Sequence, residues 1–260
     1  YKLQRLTTSW KLIKGVPDNK TAEIIHTDNL DVLIDLSGHT ALNRLPVFSY
    51  RPCALQATWL GYFGSTWLKE MDFIIGDRFV TPTDRHHLFS ERIALLKSSY
   101  LCFAAPDFNI PISGTPALKN NYITFGCFNN SIKINNNVIL TWAEILREVE
   151  NSILFFKGKS YENQSKRRII KEFEKNNINP NRLVFEGKSS RLELLESYNE
   201  VDIALDPFPY PGGTTTCEAL WMGVPTITQK GNSFVSSVGE TITMNSGHAE
   251  LCAVNVQAYV

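Results

Sequence analysis

DIALDPFPYPGGTTTCEALWMGVP, residues 202–225, decides the fold class. Within it an apolar strand pattern empties into a Pro/Gly loop and then directly into a helix closed by Gly223. A strand, loop and helix joined in this way belong to a parallel sheet, in which the loop leaves the carboxyl end of the strand. Gly212 and Gly213 permit close approach of the backbone, and the first helical turn exposes the N–H groups of Thr214, Thr215 and Thr216. Such a turn can hold an anion, and a diphosphate would sit there without a metal. A purely structural role is open as well, because Thr215 and Glu218 have the Ser/Thr-x-x-Glu spacing of a capping box. The two roles can coexist, since the backbone N–H and the hydroxyl of Thr215 are separate groups.

The same alternation of short apolar runs and helical patterns extends along the chain and predicts an α/β protein with parallel sheets. Strands are expected at residues 32–34, 55–60, 73–75 and 93–96, then at 123–125, 153–156, 183–185, 201–205 and 224–228. A helix is expected over residues 137–149, with Ile139, Trp142, Ile145 and Leu146 on one face. At 260 residues the chain exceeds the usual single-domain size. The turn-rich residues 105–121, carrying Pro106, Pro111, Gly114 and Pro116, place a break near residue 118. Two Rossmann-like lobes are therefore expected, residues 1–118 and 119–260, meeting at a cleft. The first lobe starts late in its sheet, which predicts an incomplete sheet with an exposed edge or a loose stretch over residues 1–28. Both termini look cut.

With 26 basic against 26 acidic side chains, no global field favours nucleic acid or acidic lipid. Five dispersed cysteines without CxxC spacing suggest neither a zinc site nor a disulfide framework, and a reducing cytoplasm is the expected compartment. No apolar run approaches the roughly 18 residues of a membrane span. Walker-type and G-x-G-x-x-G patterns are absent, which removes support from NTPase and dinucleotide functions. Asp-x-Asp is absent too, so no cofactor or metal bridge to a diphosphate is expected.

Two further loops could carry chemistry. TFGCFNNSIKINN, residues 124–136, brings Lys133 to the carboxyl end of a strand in the second lobe. A lone lysine there is usually surface, but this placement lets its ammonium reach the same diphosphate as the Gly212 loop. In the first lobe DVLIDLSGHT sets Asp35, Ser37 and His39 just beyond a strand, and TWLGYFGS sets Gly61 and Gly64 beyond the next. A histidine beside a carboxylate can accept a proton near neutral pH; alternatively Asp35 and His39 only brace the turn. His26, His86, His87 and His248 read as surface or turn positions, and Trp59, Trp142 and Trp221 as core. Lys166, Arg167 and Arg168 read as a solvated helix face, because Glu172 and Glu174 follow.

Jointly and in order, residues 31–62, FGCFNNSIK and residues 202–225 resemble the catalytic region of the O-linked N-acetylglucosamine transferase and SPINDLY family, and the similarity covers about Asn29 to the end. The resemblance implies a two-lobe, metal-independent, inverting glycosyltransferase of the GT-B type. Its donor would be UDP-N-acetylglucosamine or, as in some relatives, GDP-fucose, and its acceptor a protein, at Ser or Thr hydroxyls. Tetratricopeptide repeats would precede the catalytic region. By resemblance Asn130 and Lys133 are nucleotide and phosphate contacts, Thr214 and Thr215 the phosphate-binding pair, and Glu218 the ribose contact. Ser189 and Arg191 fall at the base, Leu60 and Gly61 line the donor-sugar pocket, Ser37 and Thr40 lie in the adjoining loop, and His39 belongs to a bacterial Gly-His-Thr pattern. Lys133 and the Thr214–Thr215 amides would stabilise the leaving diphosphate, while Asp35 or His39 accepts the proton. Leu194 stands where the family has a histidine near the base, Phe63 where proline is common, and Gly213 where animal members have a histidine at the phosphate. A further active-site histidine of the family lies upstream of these residues. A module that binds a nucleotide sugar or a partner protein without catalysis is the competing possibility.

Overall fold

A computed structural model describes residues 3–107 and 109–260. The chain forms two compact units, one of residues up to Gly76 with Thr81–Leu96, the other of Asp77–Val80 with Lys97–Val260. The turn-rich residues 105–121 therefore lie inside the second unit. They are held there because Asn199 Oδ1 accepts from the Ser113 N–H at 2.8 Å and Asp202 Oδ1 from the Ala117 N–H at 2.9 Å.

The first unit carries α1 (Asp18–Thr27), β1 (Val32–Asp35), α2 (Leu45–Phe48), β2 (Leu55–Thr58), β3 (Phe73–Asp77) and β4 (Arg92–Leu96). Its sheet runs in the order β1-β2-β3-β4, with β1 parallel to β2 and β2 parallel to β3. Leu45, Phe48 and Met71 pack together beneath it with Leu33 and Leu68. The edge strand β1 leaves Val32 and Ile34 exposed, as expected of a sheet starting there. The stretch before it is tied down in part. Arg44 donates to the carbonyls of Ile13 and Val16 and to the Asp18 carboxylate, which ties residues 13–18 to the start of α2. Tyr1 and Lys2 lie outside the described residues.

The second unit carries α3 (Pro116–Asn120), β5 (Ile123–Cys127), α4 (Asn136–Glu148), β6 (Ser152–Lys157), α5 (Asn163–Lys175) and β7 (Leu183–Glu186). There follow α6 (Arg191–Glu196), β8 (Ile203–Leu205), α7 (Thr214–Trp221), β9 (Thr226–Gln229), α8 (Val238–Asn245), β10 (Cys252–Ala253) and α9 (Val256–Tyr259). The sheet order is β10-β9-β8-β5-β6-β7, and every pairing is parallel. From β5 the chain winds outward through β6 and β7, then returns to the other side of β5 for β8, β9 and β10. The order thus reverses between β5 and β8, and in a doubly wound sheet the crevice beyond the carboxyl ends of those two strands is where ligands bind.

Helices cover both faces. Asn135 caps α4 by accepting the Val138 N–H at 3.1 Å, and Val138, Ile139, Trp142, Ile145 and Leu146 then recur at helical spacing against one face, with Ile169 and Phe173 of α5. Phe128, Phe155, Leu195, Tyr198, Ala219 and Met222 fill the other face. Close packing beside β5 explains Gly126, where a Cβ would stand 2.7 Å from the Val201 methyls. Trp142 is core as expected, but Trp59 is half-buried and Trp221 is exposed, its ring 6.5 Å from that of Phe103. Trp221 ends α7 on the side turned from the sheet, so apolar sequence neighbours did not make it core. Among the described residues no helix is long and apolar enough to cross a membrane.

Candidate functional site

The two loops at the switch point converge. From β5 the chain passes through Asn129 and Asn130 into a short 3-10 turn, Ser131–Lys133, opened by the Asn130 side chain accepting the Ile132 N–H at 3.1 Å. This turn carries Lys133 back toward the loop after β8. There Lys133 Nζ donates to Asn129 Oδ1 at 3.0 Å and to the Pro211 carbonyl at 2.8 Å, and stands 4.0 Å above the centre of the Tyr210 ring. The Thr215 hydroxyl donates to the same Asn129 oxygen at 3.3 Å. Lys133 and the start of α7, named from separate loops in the sequence, are therefore joined through one amide. Burial pulls the Lys133 ammonium below its ordinary value, and the Asp206 carboxylate acts in the opposite direction.

Asp206, one residue past β8, is the group that the sequence argument passed over. It is buried, and its carboxylate accepts from the Gly212 N–H at 3.0 Å, the Thr216 hydroxyl at 3.0 Å and Asn129 Nδ2 at 3.2 Å. Burial pushes its carboxyl up, while these donors and Lys133 favour the charged form. The loop closes so tightly over it that a Cβ on Gly212 would lie 2.8 Å from Asp206 Oδ1 and 2.3 Å from Thr216 Oγ1. The signal was present in the sequence as an acidic residue directly after a buried strand and before the Pro/Gly turn.

The first turn of α7 begins at Thr214 with Gly213 as N-cap, and no side chain caps it. The Thr215–Glu218 capping box is therefore not formed. Glu218 turns instead to Arg191, whose Nη1 lies 2.5 Å from Glu218 Oε1, and burial raises the Glu218 carboxyl against the pull of that guanidinium. A capping box does occur one helix earlier, at Ser190 and Glu193 opening α6. Arg191 and Glu218 thus join α6 to α7 beside the Lys133 cluster, whereas Ser189 stands half-buried in the loop before α6, its hydroxyl 3.4 Å from the Ser190 carbonyl. Leu194 packs against the core with Leu195 and Tyr198. Arg168 is more than a solvated face: it donates to the Ser131 carbonyl at 3.1 Å and so braces the turn that carries Lys133.

In the first unit the loops after β1 and β2 lock together. Leu60 has φ 66°, a Cβ on Gly61 would meet the Leu36 carbonyl oxygen at 2.2 Å, and one on Gly38 would meet Tyr62 Cβ at 2.2 Å. Asp35 is buried, its carboxylate accepting the Ser37 and Gly38 N–H groups at 3.1 and 2.7 Å and the Thr58 hydroxyl at 2.9 Å. Thr40 donates its hydroxyl to the Ser37 carbonyl at 2.8 Å. His39 is exposed and meets the Tyr62 ring edge-on, centroids 5.3 Å apart. Asp35 thus braces the turn, and His39 is the accessible group of the pair.

The sequence matches the profile of glycosyl transferase family 41 over residues 11–106 and 112–260. It is 38% identical over 262 aligned residues to a protein of Eustoma exaltatum subsp. russellianum named "Probable UDP-N-acetylglucosamine--peptide N-acetylglucosaminyltransferase SPINDLY", covering 96% of this chain and 28% of that protein. The Arabidopsis thaliana protein of the same name is 36% identical with the same coverage. The chain thus spans little more than a quarter of the length of these relatives. Among solved structures, a mutant of a Thermobaculum terrenum O-GlcNAc transferase superposes with TM-score 0.92 at 31% identity, over 99% of this chain and 49% of that one. The Anabaena HepE structure with UDP and glucose shares the fold, TM-score 0.51 at 14% identity, over 96% of this chain and 78% of that one.

Proposed function

Because the chain belongs to glycosyl transferase family 41, we propose that it moves N-acetylglucosamine from UDP-N-acetylglucosamine to Ser or Thr hydroxyls of proteins, with inversion and without a metal. The observation that carries this proposal is the convergence of Lys133 and the α7 N-terminus at the β5–β8 switch point. Thr214 and Thr215 N–H groups belong to the first helical turn, where backbone donors lack helical partners and the dipole favours an anion. Lys133 supplies the positive charge that a diphosphate leaving group requires. Asn130, Gly213, Ser189, Arg191 and Glu218 would hold the nucleotide, as the resemblance implies.

In the proposed reaction the acceptor oxygen attacks the anomeric carbon from the face opposite the diphosphate. The C–O bond to UDP breaks as the new C–O bond forms, and the hydroxyl proton passes to a base. Lys133 and the α7 amides stabilise the charge accumulating on the departing diphosphate. Of the two first-unit candidates His39 suits the proton transfer better, since a proton on Asp35 would cost a bond to Ser37, Gly38 or Thr58. Ser37, Thr40, Leu60 and Gly61 form the tight loops around His39 and are assigned to the sugar pocket. A protein acceptor, upstream tetratricopeptide repeats and a cytoplasmic location complete the proposal.

Calorimetry with UDP, UDP-N-acetylglucosamine and GDP-fucose tests the donor. Tighter binding of the uridine compounds is expected, and preference for GDP-fucose would move the assignment to a fucosyl donor. Transfer of labelled sugar to a protein extract tests catalysis; donor binding without transfer by the full-length gene product would favour a binding module.

A further inference from the structure

Asn129 sits at the centre of the candidate anion site, and its side-chain amide can face its neighbours in one way only. Asp206, as a carboxylate, can only accept, so it must face the Asn129 NH2 group, at 3.2 Å. The Lys133 ammonium can only donate, so it must face the amide oxygen, at 3.0 Å, where the Thr215 hydroxyl also arrives at 3.3 Å. Asp206 is itself fixed by the Gly212 N–H and the Thr216 hydroxyl, and Asn129 is buried, so the amide has no room to find other partners.

We infer that Asp206 is a positioning residue of the donor-phosphate site: it fixes the Asn129 amide so that its oxygen holds the Lys133 ammonium and the Thr215 hydroxyl in place for the diphosphate. The inference rests on the proposed nucleotide-sugar site. Two N–H bonds of Lys133 go to Asn129 Oδ1 and the Pro211 carbonyl, and the ammonium also stands over the Tyr210 ring, so its position is fixed from three sides. A phosphate oxygen would find the ammonium already placed, so little side-chain entropy is lost on binding. The other titratable groups about the pair include Cys127 on β5, Tyr161, whose hydroxyl donates to the Asn129 carbonyl at 2.5 Å, Cys217 on α7, Tyr198, Tyr210 and Tyr259.

Asp206→Ala is the direct test, with UDP as probe and calorimetry from pH 7 to 10. The Gly212 N–H, the Thr216 hydroxyl and Asn129 Nδ2 all arrive at the same carboxylate oxygen, Oδ1, so an asparagine could keep all three bonds, whereas alanine removes the acceptor. Nothing then holds the Asn129 NH2 group away from Lys133 and Thr215. UDP affinity at pH 7.5 should fall roughly tenfold or more, as when other groups that orient a ligand-binding side chain are removed. The alkaline fall of affinity should also begin at lower pH, because a negative charge next to Lys133 is gone. A loss of packing alone would lower the melting temperature without moving that limb. Asn129→Ala cuts the link while leaving Asp206 with Gly212 and Thr216, and should weaken UDP by a similar factor even if Asp206→Ala does not fold. Lys133→Ala is the control: if it weakens UDP while folded Asp206→Ala and Asn129→Ala bind like the parent, the positioning role is overturned and the site stands. If Lys133→Ala binds like the parent, the site itself is misplaced.

Discussion

Replacing Lys133 with alanine removes the positive charge that the switch-point loops would bring to the proposed diphosphate, and its effect can be worked from the geometry. In the free protein the ammonium is held by the Asn129 amide oxygen and the Pro211 carbonyl, so its loss leaves the Pro211 carbonyl without that donor, at a stability cost of about 1 kcal/mol. Binding should suffer more. A charge-assisted hydrogen bond contributes roughly 1.5–3 kcal/mol, so UDP should bind about ten- to a hundredfold more weakly. Lys133→Arg should recover only part, because a planar guanidinium cannot both reach the Pro211 carbonyl and stand over Tyr210 as a compact ammonium does. The parent should also lose affinity at alkaline pH. Burial lowers the lysine in the free protein, whereas a bound diphosphate raises it, so binding is complete below the free-state value and is lost as pH rises from that value to the bound-state one. Lys133→Ala should lack this limb. Calorimetric titration with UDP between pH 7 and 10, alongside thermal melts, reads both effects. A folded Lys133→Ala that binds UDP as the parent does, with the same alkaline limb, would refute the assignment of the phosphate to this lysine.

Gly212→Ala should destabilise the chain by about 1–3 kcal/mol and abolish UDP binding, since its Cβ would collide with Thr216, Thr215 and Asp206, whereas Gly213→Ala has 3.8 Å to its nearest neighbour, Val238, and should fold normally. Melting curves of the pair decide this, and equal loss in both would remove the steric argument. Arg191→Ala leaves buried Glu218 without its ion partner. The folded-state pKa of that carboxyl is already raised by burial and should rise further, so the variant should lose more stability at pH 8 than at pH 5, because stability tied to a raised carboxyl falls as pH climbs from the unfolded value through the folded one; equal loss at both would count against it. Burial pushes the Cys127 thiol up to about 12, so at pH 8 iodoacetamide should label exposed Cys102 and spare Cys127 in the folded protein, as judged by peptide mass spectrometry.

The second unit was legible in the sequence because its central strands β5, β6 and β8 are largely buried and read as apolar runs, with the striped helix α4 between the first two. The switch point was not legible, since strand order depends on which runs pair across the sheet, and nothing local to β5 or β8 says that they are neighbours. Lys133 could be named because a lysine after a strand can only reach forward into the loops at that end. Its partners could not, because Asn129 and the Pro211 carbonyl meet it only once the two loops are folded together. The capping box failed for a related reason. Thr215 and Glu218 have the right spacing, but the helix begins at Thr214, and Arg191 of another helix competes successfully for Glu218.

Asp35 and Asp206 show what spacing alone misses about carboxylates in such sheets. Asp35 ends β1 and Asp206 stands one residue beyond β8, and each carboxylate folds back onto the loop that follows: Asp35 accepts the Ser37 and Gly38 N–H groups, Asp206 the Gly212 N–H, and each a threonine hydroxyl, from Thr58 or Thr216. Asp77, at the end of β3, does the same with the Phe79 and Val80 N–H groups at 2.8 and 3.1 Å. The recurrence has a physical cause. A loop leaving the carboxyl end of a parallel strand turns sharply, its first N–H groups have no partner in the ladder, and a short acidic side chain at that point satisfies them without another element. An acidic residue at a strand end in this fold therefore serves first as a brace. Asp35 was read as a possible base because a histidine follows it closely in sequence, yet its donors leave it committed to the turn. Asp206 went unread because nothing nearby suggested chemistry, yet through Asn129 the same bracing also holds the Lys133 charge of the proposed donor site.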